Sequence, residues 1–289
     1  MSVWPALGDA RRTQIGARVP FWVADAGQDW AAGSVARGHL PALARWPQAL
    51  RVDPAGVTLT LPATERDAFL AQANRALRDD GLVKAWRDET FPVLAHADGR
   101  LLATLERAAS RFWGTRSFGA HCNGFVADTQ GRPQALWIAR RSLTKSIDPG
   151  MLDNLIGGGV PHGQTPAEAV LREGWEEAGL TPAQMAGLAP GRVLRLARDI
   201  PEGFQDEWVS VYDLALPAGL LPRNQDGEVH SVTLMPLADA FGRAAAGEMT
   251  VDATLATLDF ALRHRLLAPA EHAALADASA QLWCGPALL

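Results

Sequence analysis

The stretch from residue 158 to residue 180 reads GGVPHGQTPAEAVLREGWEEAGL and combines a glycine turn, a capped helix and a group of charged side chains. Residues three and four positions apart are neighbours on a helix surface. Arg172, Glu173, Glu176 and Glu177 are therefore expected on or near one side of the helix. Converging carboxylates raise each other's pKa unless a cation lies among them. Oxygen ligands of this kind suit Mg²⁺ or Mn²⁺, so the stretch predicts a metal-dependent site for a phosphorylated substrate.

The ends of this helix are marked by residues with known capping roles. Thr165 is a suitable N-cap, Pro166 occupies the first helical position, and Glu168 completes a capping box. Gly179 follows the last turn, where a left-handed residue is expected. An ordinary surface helix with solvated acids is the alternative, but the glycine turn, the arginine and the spacing together favour a functional site.

The stretch resembles the Nudix box, which reads Gly, five residues, Glu, seven residues, Arg-Glu, an apolar residue, any residue, Glu-Glu, any residue, Gly and an apolar residue. Two positions depart from it, because Gln164 replaces the first glutamate and Gly174 stands at an apolar position. The resemblance implies that the Arg-Glu and Glu-Glu residues form a metal-binding core, whereas Gln164 is not carried over as a catalytic residue. The positions that match are Gly158, Arg172, Glu173, Glu176, Glu177, Gly179 and Leu180.

The flanking segments are similar to the Nudix subfamily related to the thiamine pyrophosphokinase-linked Nudix proteins. The similarity lies in residues 86–93, 106–126, 137–160 and 224–237. It implies an extra N-terminal domain and hydrolysis of thiamine diphosphate-like compounds, especially oxidised or damaged forms, to the monophosphate and phosphate. Hydrolysis of another nucleoside or sugar diphosphate, or a catalytically weak ligand-binding module, remains open.

The order of elements predicts an α/β (α+β) protein in three parts. Residues 1–115 are expected to form a smaller α+β N-terminal domain, and residues 116–250 a Nudix α/β/α sandwich with a mixed sheet. A C-terminal helical extension over 251–289 is expected to pack on it. Within the first part, we expect a helix over 64–77, paired strands over 82–86 and 90–96, and another helix over 101–112.

Composition limits the class of protein. A net charge of −5 over 289 residues argues against a general nucleic-acid partner. No apolar run reaches membrane-spanning length, and no signal peptide is evident. With only two cysteines, a disulfide framework is not expected, so we predict a cytoplasmic protein with reduced thiols. Sheet edges and the C-terminal helix could support a homodimer, which the sequence leaves open.

Cations before the box are candidates for holding the diphosphate. Arg140 and Arg141 are consecutive, so at most one points inward from a regular strand. We favour Arg141, with Lys145 as its companion, because arginine suits bidentate contact with phosphate. Solvated charges at a sheet edge are the alternative.

Four further residues are expected to have roles at the site. Arg172 is expected to pin a carboxylate, and Glu228, or a box glutamate instead, to act as general base. His121 shares a strand face with Asn123 and could contact substrate, although a packing role is more common for such a residue. Trp86 could stack on a cationic ring. Its alternative is a buried tryptophan beside an Arg-Asp pair.

Overall fold

The N-terminal part is built on a four-stranded sheet in the order β2-β1-β4-β3 and a separate hairpin of β5 and β6. These elements come from a computed structural model that describes residues 4–285. Their bounds are α1 (Pro5–Asp9), β1 (Arg18–Asp25), β2 (Gln28–Ala36), α2 (Leu40–Leu43), β3 (Leu50–Asp53), β4 (Gly56–Leu59), α3 (Ala63–Asp79), β5 (Thr90–Leu94), β6 (Leu101–Glu106) and α4 (Ala109–Trp113).

Two local predictions for this part are wrong. Residues 101–106 form a strand paired antiparallel with β5, and only the short α4 follows, so there is no helix over 101–112. Residues 82–86 do not pair with 90–96, because Ala85 and Asp88 have φ angles of 60° and 59° that interrupt an extended chain. The apolar residues of 101–112 fit a helical period and a short strand alike. Pairing with β5 decides between the two.

The C-terminal part is an eight-stranded mixed sheet with helices on both faces. Its main order is β13-β8-β7-β12-β11-β14; β7 and β12 run parallel, while the other pairs along it are antiparallel. The bounds are β7 (Arg116–Ala127), β8 (Pro133–Arg141), β9 (Leu152–Asn154), β10 (Ile156–Gly159), α5 (Pro166–Ala178), β11 (Ala189–Ile200), β12 (Gly203–Ala215), β13 (Val229–Pro236), α6 (Leu237–Ala245), α7 (Val251–Arg263), α8 (Pro269–Ser279) and β14 (Trp283–Cys284).

Strand β7 separates the two helical layers. Ala120 and Cys122 belong to the same buried cluster as Val170 of α5. On the opposite face, the side chain of Asn123 donates to the backbone oxygen of Ala256 in α7. The alternation of side chains along the strand therefore places α5 on one face and α7 on the other. This mixed sheet between helices, with an N-terminal domain before it, confirms the predicted fold class.

Trp4 and helix α1 pack with the C-terminal sheet rather than with the N-terminal one. Trp4 is 1% exposed and its ring centroid lies 6.4 Å from that of Phe241 in α6. It shares a core with Leu194 and Val209 of the large sheet and with Leu258 of α7. Helix α7 is almost fully buried, because it packs on one face of this sheet. No helix within residues 4–285 is both long and apolar enough to cross a membrane.

Candidate active site

Helix α5 begins and ends where the capping residues predict. The Thr165 hydroxyl accepts from the Glu168 backbone N–H at 3.3 Å, and the Glu168 carboxylate accepts from the Thr165 N–H at 2.8 Å. Gly179 ends the helix in the left-handed conformation, with φ 64°. The predicted capping box and C-cap are therefore confirmed. They determine which side chains α5 presents to the strand before it.

That strand, β10, ends in three glycines that leave room for charged groups. The Gly157 N–H donates to Glu177 Oε2 at 2.8 Å. A Cβ on Gly158 would lie 2.0 Å from Glu173 Oε1, so Glu173 occupies the space of the missing side chain. A Cβ on Gly159 would lie 2.6 Å from Cζ of Arg107, a residue of the N-terminal part.

Two of the box glutamates are buried one helical turn apart. Glu173 is 8% exposed and Glu177 is 5% exposed. Burial raises the pKa of Glu173 to about 7, opposed by Arg172 and reinforced by Glu176. Burial, and then the charge of Glu173, raise the pKa of Glu177 well above its ordinary value, although Lys145 opposes the shift. The pair therefore lies in surroundings that do not fully compensate two negative charges.

The third box glutamate, Glu176, shares Arg172 with Glu173. Nη1 of Arg172 lies 3.0 Å from Glu173 Oε1 and 3.0 Å from Glu176 Oε2, so one nitrogen bridges two carboxylates. Its Nη2 donates to the Gly159 carbonyl oxygen at 3.4 Å. Arg172 thus contacts both carboxylates through one nitrogen, and its role in positioning them stays a prediction. Within residues 4–285, no three His, Cys, Asp or Glu side chains converge closely enough to hold a metal ion.

The chemistry of the Glu173–Glu177 pair nevertheless fits a divalent cation. Both groups supply carboxylate oxygens, the ligands that Mg²⁺ and Mn²⁺ prefer. Burial raises the pKa of each although Arg172 and Lys145 lie close by, and such an ion would favour the ionised forms. Glu176 is adjacent in sequence but paired with Arg172, so its role as a third ligand stays a prediction.

Lys145 and Glu228 form an ion pair beside the box. Lys145 Nζ lies 2.7 Å from Glu228 Oε2 and 3.8 Å from Glu177 Oε1, and its side chain is only 9% exposed. Arg87 of the N-terminal part contacts the other Glu228 oxygen at 2.5 Å. Burial alone would raise the pKa of Glu228, but the ion pairs with Lys145 and Arg87 lower it to about 2. Alternating charges thus connect Arg87, Glu228, Lys145 and Glu177.

Arg141 holds the loop that precedes β9. Its Nη1 contacts Asp153 Oδ2 at 2.9 Å, and Nε and Nη2 donate to the backbone oxygens of Asp148 and Ile147 at 3.1 and 2.9 Å. Its guanidinium is therefore engaged in the loop. Of Arg140 and Arg141, only Arg141 lines the neighbouring cavity, in agreement with the predicted alternation. Contact with a diphosphate stays a prediction.

His121 lies in the wall of the same cavity. Its Nδ1 is 2.9 Å from Asn154 Oδ1, and Asn154 also contacts Asn123 on the same strand face. Because the amide oxygen is an acceptor, Nδ1 of His121 carries the hydrogen in this contact. The residue is both hydrogen-bonded in the core and placed to meet a ligand.

Trp86 does not line the cavity, so the predicted stacking on substrate is not supported by its position. The indole packs on the N-terminal core, its Nε1 donates to Asp88 at 2.7 Å, and the Arg78 guanidinium lies over its ring. The alternative of a packed tryptophan in an Arg-Asp environment describes it better. From the same loop, Lys84 and Arg87 line the cavity instead.

Both departures from the box have local structural consequences. Gln164 Oε1 is buried without a hydrogen-bond partner, which marks the position of the missing glutamate as an unsatisfied acceptor. A Cβ on Gly174 would lie 2.5 Å from Sδ of Met185. The Met185 side chain therefore fills the volume that an apolar box residue would need.

A cavity of about 410 Å³ opens beside the box and is enclosed by both parts of the chain. Gly157, Gly158, Lys145 and Arg141 line it from the C-terminal part. The N-terminal part contributes cations that the sequence analysis did not select: Arg12, Lys84, Arg87, Arg107 and Arg111. No local pattern marks them, because they come from loops and a short helix. The resemblance of residues 86–93 and 106–126 covers Arg87, Arg107 and Arg111 but neither Arg12 nor Lys84.

Comparison with protein families identifies the C-terminal part. Residues 119–255 match the model of the NUDIX domain, and residues 9–117 match a domain of unknown function (DUF4743). The chain thus contains a Nudix domain preceded by this second domain. The predicted Nudix resemblance is confirmed, whereas the thiamine pyrophosphokinase-linked subfamily stays a prediction.

Two plant Nudix hydrolases are similar to this chain. Nudix hydrolase 20, chloroplastic, from Arabidopsis thaliana is 36% identical over 208 residues, or 71% of this chain and 54% of that protein. Nudix hydrolase 24, chloroplastic, from the same plant is 35% identical over 207 residues, or 71% and 56%. The chain therefore spans about half the length of these curated relatives. The crystal structure of DR0079 from Deinococcus radiodurans has 26% identity and a TM-score of 0.43, covering 60% of this chain and 99% of that one.

Proposed function

We propose that the chain is a divalent-metal-dependent hydrolase that cleaves the diphosphate bond of a small molecule to a monophosphate and phosphate. The observation that carries the proposal is the buried pair Glu173 and Glu177, one helical turn apart beside a cavity. Burying two carboxylates without enough positive charge is costly. A cation shared with substrate phosphates would offset that cost. The match to the NUDIX domain and the Nudix hydrolases among the relatives support the same reaction.

Glu173 and Glu177 would hold Mg²⁺ or Mn²⁺, with Glu176 as the proposed third ligand. When bound, the ion would supply positive charge for the phosphate oxygens and a Lewis acid that activates water. Arg172 keeps Glu173 and Glu176 in place through its shared nitrogen. Lys145 limits the repulsion at Glu177 and stands close enough to the cavity to contact a phosphate.

We assign the general base to a box glutamate rather than to Glu228. A general base works best when its pKa lies near the working pH. Glu228 has a pKa of about 2 and both of its oxygens are paired with cations. Its carboxylate is therefore a weak proton acceptor, and its contacts indicate that it positions Lys145.

A thiamine diphosphate-like compound, including an oxidised or damaged form, is the substrate that we propose. The support is the similarity of the flanking segments to the thiamine-related subfamily and a cavity volume typical of small-molecule sites. Arg141, Lys145 and His121 are the proposed substrate contacts. Another nucleoside or sugar diphosphate is the alternative within the same chemistry. A weak ligand-binding module is the other, because Gln164 lacks the charge of the box glutamate.

The proposal is tested by phosphate release from thiamine diphosphate, its oxidised analogues and a panel of nucleoside and sugar diphosphates, with Mg²⁺ or Mn²⁺. Wild type is compared with E177Q and with E65Q, a matched control at an exposed glutamate of α3. We expect metal-dependent release in wild type and E65Q, and loss in E177Q. Release from other diphosphates alone would refute the thiamine assignment. Tight binding of a compound without turnover in wild type would indicate the ligand-binding module.

A further inference from the structure

The cavity beside the box is asymmetric in charge. Five cations of the N-terminal part line it, Arg12 among them; we call the other four, Lys84, Arg87, Arg107 and Arg111, the basic wall. Among the described lining residues, every carboxylate comes from the C-terminal part instead. A cleft wall with charges of one sign raises the local concentration of the opposite charge. The basic wall therefore favours an anionic ligand.

Two residues of the basic wall make no direct contact with a carboxylate. Within residues 4–285, Lys84 and Arg111 form neither a side-chain hydrogen bond nor an ion pair; Arg111 is half-buried and Lys84 is exposed. Arginine and lysine donors in such a position satisfy phosphate oxygens well. Their lack of partners is the observation that separates this wall from an ordinary network of ion pairs.

The other two residues are held in place before any ligand arrives. Arg107 lies over Gly159 and contacts Glu89 Oε2 at 3.1 Å. Glu106 accepts the backbone N–H groups of Arg87 at 2.7 Å and of Ala108 at 2.6 Å. The carboxylate of Glu106 thereby ties the loop of Arg87 to the turn that follows Arg107. A site with fixed donors avoids part of the ordering cost of binding.

The position of the basic wall relative to the box indicates which part of a ligand the wall would contact. The charge of Arg107 acts on Glu173, and Arg87 pairs with Glu228 next to Lys145. Two members of the wall therefore stand close to the carboxylates that would hold the cation. A diphosphate between that cation and the basic wall would have positive charge on both sides of its anionic oxygens.

We propose that the basic wall binds the phosphate groups of the substrate, so that the N-terminal domain, to which no function is assigned, is the phosphate-recognition domain of this protein. The identity of the ligand rests on the proposed function, but the binding of a diphosphate to the wall does not depend on turnover.

The test measures binding of methylenediphosphonate, a diphosphate analogue with a non-hydrolysable bridge, by calorimetry in the presence of Mg²⁺. The test variant is K84A/R111A, whose altered residues have no partners to lose, so folding should be retained and is checked by thermal unfolding. The matched control is R11A/R75A, which removes the same charge from two exposed residues of the same part of the chain outside the cavity. We expect affinity to fall by about tenfold or more in the test variant and to stay unchanged in the control.

Equal affinity in K84A/R111A and wild type would overturn the inference, as would an equal loss in the control, which would reflect net charge alone. No binding to wild type would overturn it as well. R107A provides a second test. If Arg107 belongs to the binding surface, R107A should bind the analogue more weakly than wild type, and R107K should recover part of the affinity. If the analogue binds through the wall but no diphosphate is hydrolysed, the proposed function fails while this inference stands.

Discussion

The carboxylate of Glu173 occupies the position beside Gly158 where a side chain on that strand residue would stand. The space is so small that a Cβ there would lie 2.0 Å from Oε1 and 2.6 Å from Cγ of Glu173. A glycine in β10 is therefore the condition for a buried box glutamate at the edge of the cavity. This relationship joins the glycine turn and the acidic helix into one site.

Replacing Gly158 with alanine should displace Glu173 and lower phosphate release by about 100-fold, since small misplacements of reacting groups cost rates of this order. The measurement is steady-state phosphate release by G158A. G187A is the control, because a Cβ at Gly187 meets no atom within 4 Å. Wild-type rates in G158A would contradict the importance that we give to this contact.

The stability of the metal-free protein should depend on pH through Glu173. Its pKa in the folded protein is about 7, above the ordinary value of 4.5. Its stabilising contribution is therefore fully present below about pH 4.5 and is lost as pH rises through 7. Urea unfolding in EDTA should show wild type losing on the order of 3 kcal/mol relative to E173Q across this range. Mg²⁺ should reduce the loss, because it stabilises the ionised carboxylate; a pH-independent difference between the proteins would refute the account.

Glu228 should prove dispensable as a base. Because its pKa is about 2, the E228Q protein should retain kcat within about tenfold of wild type, whereas loss of a general base costs roughly 100-fold or more. The measurement is the dependence of kcat on pH in both proteins. A loss of 100-fold, together with the disappearance of an acidic limb of the profile, would return the base role to Glu228.

The C-cap of the box helix should contribute measurably to stability. Gly179 has φ 64°, and a Cβ there would lie 2.8 Å from the backbone oxygen of Arg223. G179A should therefore lower the free energy of unfolding by about 1–2 kcal/mol, since the left-handed conformation is unfavourable for alanine. Denaturant unfolding measures this, and G187A again serves as the control. An unchanged midpoint would show that the cap can relax without cost.

Much of the fold could be predicted because its signals are local. The N-cap Thr165, its partner Glu168 and the C-cap Gly179 lie within a few residues of the backbone groups that they satisfy. Helix α3, Ala63–Asp79, lies close to the range of 64–77 expected from its pattern. The strand over 101–106 was missed because its partner, β5, is selected by pairing across the N-terminal core rather than by its own pattern.

The site divides in the same way. The sequence by itself determined that Arg172, Glu173, Glu176 and Glu177 share one helix, because spacing along a helix sets which side chains are neighbours. Only the tertiary structure decided that Glu173 and Glu177 turn inward while Glu176 pairs with Arg172. It also decided that Lys84, Arg87, Arg107 and Arg111 line a cavity beside the box. Helix periodicity acts over a few residues and can be read locally, whereas the meeting of two domains depends on packing between segments far apart in the chain.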